Sequence, residues 1–240
     1  DFDPTQCVDT EGTDAQLSGF LMKLSPTGAY ESTLTIGGDT FGPVGIAIAA
    51  PAVTATASFV PGYFDGTVDL DPGPGVDTVE SMITRGGAFV SKLDAAGKFV
   101  WGRVLTSSES GLVSWGAPLA LPDGGAVLTG SYTGPSDLDP GPAVLSPSTQ
   151  TGAFVTRLDA SGKQLWARTF GCDGFSSIGM SAALDAGGVL WLSGRGTDSS
   201  CAFDQGGPAG PAPNGFYVAS MTLDGNIRTY GTVTGNDSLI

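Results

Sequence analysis

One fifteen-residue pattern occurs twice with the same punctuation, GAFVSKLDAAGKFVW at 87–101 and GAFVTRLDASGKQLW at 152–166. Looser copies flank them: GFLMKLSPTGAYESTL begins at Gly19 and GFYVASMTLDGNIRTYG begins at Gly215. Self-similarity at a period of about 65 residues constrains the fold more than composition does. Each copy must take the same local structure and bury its apolar face on its neighbours.

Each copy alternates apolar and polar residues, turns at Asp-x-x-Gly or Pro-x-Gly, and alternates again, which is the pattern of a β-hairpin. Asp supports such a turn by accepting from nearby backbone N–H groups, and Gly accepts positive φ. A further strand pair precedes three of the hairpins. Segments 117–130 and 180–194 each place two strands about a Pro-Asp-Gly or Asp-Ala-Gly turn, and 44–50 with 53–60 form a looser first version. One unit is therefore four short antiparallel strands. No stretch sustains a 3.6-residue apolar period, so the chain is expected to be all-β. Four strands repeated at this period suit the blades of a β-propeller; a row of β-sandwiches needs about seven strands and about 100 residues per domain. The expected units are 1–40 (partial), 41–106, 107–171, 172–231 and 232–240, the last opening a further blade. That gives three complete repeats and a divided terminal one. The chain is read as a single propeller or a propeller segment, with the segment preferred because the divided unit falls short by about 20 residues of a usual blade.

The strings GAFVSKLDAAGKFVWGRVL, GAFVTRLDASGKQLWARTF and LPDGGAVLTGSY, with the closing Gly235-Asn236-Asp237, resemble the bacterial seven-bladed β-propeller (SBBP) repeat family. The resemblance covers nearly the whole chain. It implies a propeller in a secreted or cell-surface bacterial protein and says little of activity, since propellers host many functions. Family blades run nearer to about 50 residues, and the excess here lies in an insertion between the second and third strands.

Those insertions carry the one motif with chemistry. Asp1-Phe2-Asp3-Pro4, Asp69-Leu70-Asp71-Pro72 and Asp137-Leu138-Asp139-Pro140 recur in register, and the fourth copy degrades to Ala202-Phe203-Asp204. In an extended segment, Asp-x-Asp presents both carboxylates on one face and turns the residue between them inward. Two readings fit. Asp1, Asp3, Asp69, Asp71, Asp137 and Asp139 are hard oxygen ligands for Ca²⁺, although each loop supplies two side chains, with Asp65 a third in one unit, where six to eight oxygens are usual. Equally, the same spacing marks a strand end with a buried Leu or Phe running into a Pro-Gly turn. Paired acids also suggest glycoside hydrolysis. A catalytic pair is normally unique, however, whereas these recur with the repeat.

Composition narrows the function classes. With 10 Lys and Arg against 24 Asp and Glu, a net charge of −14 opposes a nucleic-acid groove. The chain holds no His, which removes the commonest general base and the usual zinc ligand. No apolar run reaches the roughly 18 residues of a membrane helix, so direct membrane insertion is not expected. The first residue is Asp rather than Met, and the chain is expected to be mature or excised from something longer. Of Cys7, Cys172 and Cys201, the last two fall in one expected unit and are the favoured disulfide, against three reduced buried thiols.

Phe20, Phe89, Phe154 and Phe216 are assigned one core position in the hairpin. Trp101 and Trp166, also in matching places, are expected to pack between blades, while Trp115 and Trp191 are expected to fill core. Segment 206–213 is a Gly-Pro-rich loop with one PxxP spacing. The expected function is a binding or assembly scaffold that displays loops to a protein or glycan partner or to copies of itself. The competing class is a propeller hydrolase or lyase using channel acids.

Overall fold

The computed structural model describes residues 17–38, 45–81, 87–107, 112–141, 143–147, 150–172, 178–196, 202–203 and 215–233. The described residues form strands and turns, without a helix, and all pairing is antiparallel. The first unit supplies β1 (Leu17–Leu24) and β2 (Tyr30–Gly38). The second supplies β3 (Ile46–Ile48), β4 (Ala52–Val53), β5 (Ala57–Phe64), β6 (Gly66–Asp69), β7 (Thr78–Ser81), β8 (Gly87–Asp94) and β9 (Phe99–Ser107). In the third are β10 (Leu112–Trp115), β11 (Leu119–Ala120), β12 (Ala126–Thr133), β13 (Ser136–Asp137), β14 (Thr151–Leu158) and β15 (Gln164–Cys172). The fourth has β16 (Ile178–Leu184), β17 (Val189–Gly196), β18 (Ala202–Phe203), β19 (Gly215–Thr222) and β20 (Ile227–Val233).

The four hairpins are β1–β2, β8–β9, β14–β15 and β19–β20. Each turns on a glycine with φ near +80°: Gly28, Gly97, Gly162 and Gly225. Any other residue there would be strained, which is why Gly closes every copy of the turn. In the second unit the looser strand pair resolves into β3 and β4, which lie on either side of 49–51 and both pair with β5.

The sheets of the second and third units are wider than four strands. β13 of the third unit pairs with β9 of the second, and β18 of the fourth pairs with β15 of the third. The insertion therefore does not stay with its own sheet; it crosses and extends the outer edge of the preceding one. In the second unit it forms the two-stranded ladder β6–β7, with the Thr67 carbonyl seated against Gly38 at the end of β2. An outer strand otherwise offers unpaired N–H and C=O groups to other chains, and each insertion covers part of that edge.

The hairpins stack face to face, with a core between each successive pair of units. Leu21, Leu34 and Ile36 of the first unit meet Val60, Phe64, Phe89 and Leu93 of the second. Phe59, Val90, Trp101 and Leu105 meet Leu128, Tyr132, Phe154 and Leu158 of the third. Val127, Val155 and Phe170 meet Leu190, Leu192, Tyr217 and Met221 of the fourth. Adjacent residues serve opposite cores: Phe89 faces back and Val90 forward, as do Phe154 and Val155. This two-sided burial explains why β8 and β14 read as nearly continuous apolar runs.

The shared core position assigned to four phenylalanines needs correction. Phe89 and Phe154 are fully buried, but Phe20 is 53% and Phe216 58% exposed. Counted from the turn glycine, Phe20, Phe89 and Phe154 do match, but the fourth residue in that register is Tyr217, which is buried. Phe216 is one place earlier and points to the far side of the fourth sheet, the face that also carries exposed Val218 and Trp191. Phe20 is in register but points to the far side of the first sheet. The Trp191 expectation also fails: the ring is 43% exposed and its indole N–H donates to Asp185 Oδ2 at 2.9 Å.

Candidate functional site

The Asp-x-Asp loops are built from their own hydrogen bonds. Asp69 Oδ1 accepts from the N–H of Asp71 at 3.1 Å and of Asp77 at 2.9 Å, while Asp71 Oδ1 accepts from Gly73 N–H at 2.7 Å. The third unit repeats this: Asp137 Oδ1 accepts from Asp139 N–H at 3.0 Å and Leu145 N–H at 2.9 Å, and Asp139 Oδ1 from Gly141 N–H at 2.7 Å. The first Asp closes the loop across eight residues and the second tightens its tip. Between them, Leu70 and Leu138 are buried. Ser91 Oγ donates to the Leu70 carbonyl at 2.9 Å, and Gln164 Nε2 donates to the Leu138 carbonyl at 2.8 Å. Each insertion is thus a wedge, anchored by its leucine and pinned by the hairpin of its own unit.

Asp1 and Asp3 lie outside the described residues. Among those described, no three His, Cys, Asp or Glu side chains converge on a metal-sized site. The carboxylates of Asp69, Asp71, Asp137 and Asp139 each have one oxygen committed to backbone donors. Two carboxylates per loop fall short of the six to eight oxygens that Ca²⁺ gathers. Cys7 and Cys201 also lie outside the described residues, as does the side chain of Cys172. Cys172 ends β15, in the sheet of the third unit. Its neighbour Gly171 is paired with Ala202, the residue after Cys201.

A second constellation was not anticipated from the sequence. Five residues before the turn glycine, and four and six after it, the second unit carries Lys92, Trp101 and Arg103; the third carries Arg157, Trp166 and Arg168. All six reach the next unit. Lys92 Nζ donates to the carbonyls of Gly124 at 2.7 Å and Ala160 at 2.8 Å, and Trp101 Nε1 donates to Ala160 at 3.0 Å. Arg103 Nε donates to the Gly162 carbonyl at 2.8 Å. One unit on, Arg157 Nη1 and Trp166 Nε1 both donate to the Leu223 carbonyl at 2.7 Å, and Arg168 Nε to that of Gly225 at 3.0 Å. Each arginine lies over the tryptophan of its own strand, with centroid distances of 5.3 Å for Arg103 and 5.9 Å for Arg168. The turn glycines leave room for this, since a Cβ on Gly162 or Gly225 would strike the indole of Trp101 or Trp166.

Electrostatics reinforce the clamp. Burial lowers the Lys92 pKa below the usual lysine value, although Asp159 and Asp123 oppose the shift. For Asp123, burial works against the charged form, but hydrogen bonds from Gly125 N–H and the Arg157 guanidinium outweigh it and hold the carboxyl below the usual range. Arg157 Nη2 is 2.6 Å from Asp123 Oδ2. Asp159 is lowered chiefly by the Ser161 hydroxyl, with the N–H groups of Lys163 and Ser161 adding to it. The expectation that Trp101 and Trp166 pack between units is met, and their indole N–H bonds to the next turn add to it.

The contact between the first and second units is different. The matching positions there are Lys23, Ser32 and Leu34. Lys23 turns to Glu31 of its own hairpin at 3.0 Å, and Leu34 Cδ1 packs against Gly97. Where the indole and guanidinium would sit, a cavity of about 420 Å³ opens between Leu21, Met22, Ser32 and Leu34 on one wall and Val53, Thr54 and the 94–97 turn on the other. Lone cations in strands read as solvated; the clue was the shared spacing of Lys92 and Arg157, and of Arg103 and Arg168, from the turn glycine. Comparison with protein-family models and with curated proteins gives no match.

Proposed function

We propose that the chain is a β-propeller-type module, of the kind the bacterial seven-bladed repeat family represents, working outside the cell or at its surface as a scaffold for a protein or glycan partner or for assembly with its own copies. The observation that carries this reading is the use made of the acids. The described Asp residues of the recurring motif brace loops instead of converging, as they would around a scissile bond. The second and third units each send side chains that grip the next unit's turn, which suits a rigid frame holding loops on its rim. In this reading calcium is an addition to loops that already close on themselves.

The test is retention without turnover. Immobilised chain is exposed to soluble polysaccharides and to surface-protein extracts, and both bound material and cleaved product are measured. The scaffold reading expects a partner to be retained intact. Steady release of new reducing ends or unsaturated sugars would replace it with the hydrolase or lyase reading. Non-reducing and reducing mass analysis after alkylation tests the extracellular assignment; a Cys172–Cys201 bridge is the expected outcome, and three alkylated thiols would count against it.

A further inference from the structure

We propose that the cleft between the first and second units binds an arginine side chain, with a neighbouring aromatic, presented by an extended peptide segment of a partner protein. The inference rests on the scaffold reading and gives it a site. Its evidence is the structure's own repetition. Two turns of the same form, at Gly162 and Gly225, each receive an indole N–H and a guanidinium from the preceding unit. The 94–97 turn has the same fold, with Gly97 N–H on the Asp94 carbonyl at 3.0 Å and Asp94 Oδ1 accepting from Ala96 and Lys98, each at 2.9 Å. Its Ala95 and Gly97 carbonyls match those of Ala160 and Gly162. The preceding unit sends them Ser32, whose short side chain carries a single O–H donor, and Leu34, which carries none.

The rest of the cleft fits that occupant. Leu21, Met22 and Leu34 offer an apolar wall for an aromatic ring and an aliphatic stem. Asp94 and Lys23 are among its lining residues, Lys23 being held by Glu31 at 3.0 Å, and the net charge of −14 draws cationic segments toward the chain. The cleft continues an existing interface between units, so a bound segment would complete a contact already half made.

The probe is a synthetic peptide with the sequence FVWGRV, copied from this chain's own 99–104, and amide chemical shifts of the full chain are followed on titration. Saturable shifts clustered at Leu34, Ala95 and Gly97 are expected, and binding at least about tenfold weaker when citrulline replaces the arginine. The double variant Ser32→Trp with Leu34→Arg supplies the missing clamp from within. It should raise the melting temperature by about 2–4 °C and weaken peptide binding at least about tenfold. Shifts scattered elsewhere, or unchanged binding in a folded double variant, would overturn the site. Because shift mapping uses the native chain, misfolding of the variant does not decide the matter. Intact retention of a partner with no peptide response at the cleft would remove this site and leave the scaffold; product release with peptide binding intact would do the reverse.

Discussion

The contact between the second and third units and the contact between the first and second join the same kinds of surface by different means. Both bury aliphatic and aromatic side chains between two sheets. Among the described residues the former adds directional bonds at its edge, in which Lys92, Trp101 and Arg103 satisfy carbonyls of the adjoining turns. At the latter, Leu34 contributes packing alone and a cavity remains. Apolar stacking is common to both contacts, while the clamp ties one turn to the next by directional bonds. The difference depends on two residues per strand, four and six places after a glycine.

The largest way to break this comparison is Trp101→Ala. The indole is 6% exposed and bonds Ala160, so its removal should cost about 3–5 kcal/mol in urea unfolding. Ser32→Ala, in the same register of the unclamped unit, should change stability by less than about 0.5 kcal/mol. Equal effects would mean the clamp contributes nothing beyond burial. Next is Arg157→Met, which keeps most of the stem but removes the donors to Leu223 and Asp123. A loss of about 1–2 kcal/mol is expected, because Trp166 still serves the Leu223 carbonyl and Asp123 is half exposed.

Smaller still is a pH effect. The folded-state pKa of Asp123 is depressed, so its stabilisation is fully present above the ordinary carboxylate range and is lost as pH falls through the lower folded value. Asp123→Asn should therefore lower stability at neutral pH and flatten its decline between about pH 5 and pH 2, as followed by urea midpoints. The smallest expected effect is that of calcium removal. Excess EGTA should leave the melting temperature unchanged, since Asp69 and Asp137 each close their loop on two backbone N–H groups. A clear drop would restore a metal role to these carboxylates.

Much of the architecture was legible because a repeat forces its signals into phase. The hairpins, their turn glycines and the burial of Trp101 follow from spacing alone. Phe216 follows a glycine as Phe20 does but is one residue nearer the chain start in the register set by the turn, and in a strand one residue exchanges the two faces. Trp191 differs for a related reason: it lies on the side of the fourth sheet that the described residues leave exposed, and apolar character does not say whether a neighbour is present. The clamp was hidden because Lys92 and Arg103 resemble solvated cations until the next turn is seen beside them. The recurring Asp residues fit ligands and turn-formers alike in sequence; in the described loops one oxygen of each accepts from N–H groups a few residues away, which every sequence contains and no motif displays.

The crossing of the insertions has a consequence for how the protein is made. The edge of β9 is covered by β13, which the ribosome delivers about 30 residues later, and β15 waits in the same way for β18. At about 5–20 residues per second, the outer strand of each of these two sheets spends a few seconds open before its successor covers part of it. Assembly is therefore directional. Errors that pair one nascent chain with another should arise during these intervals, and an insertion that is too long or fails to anchor its leucine would prolong them.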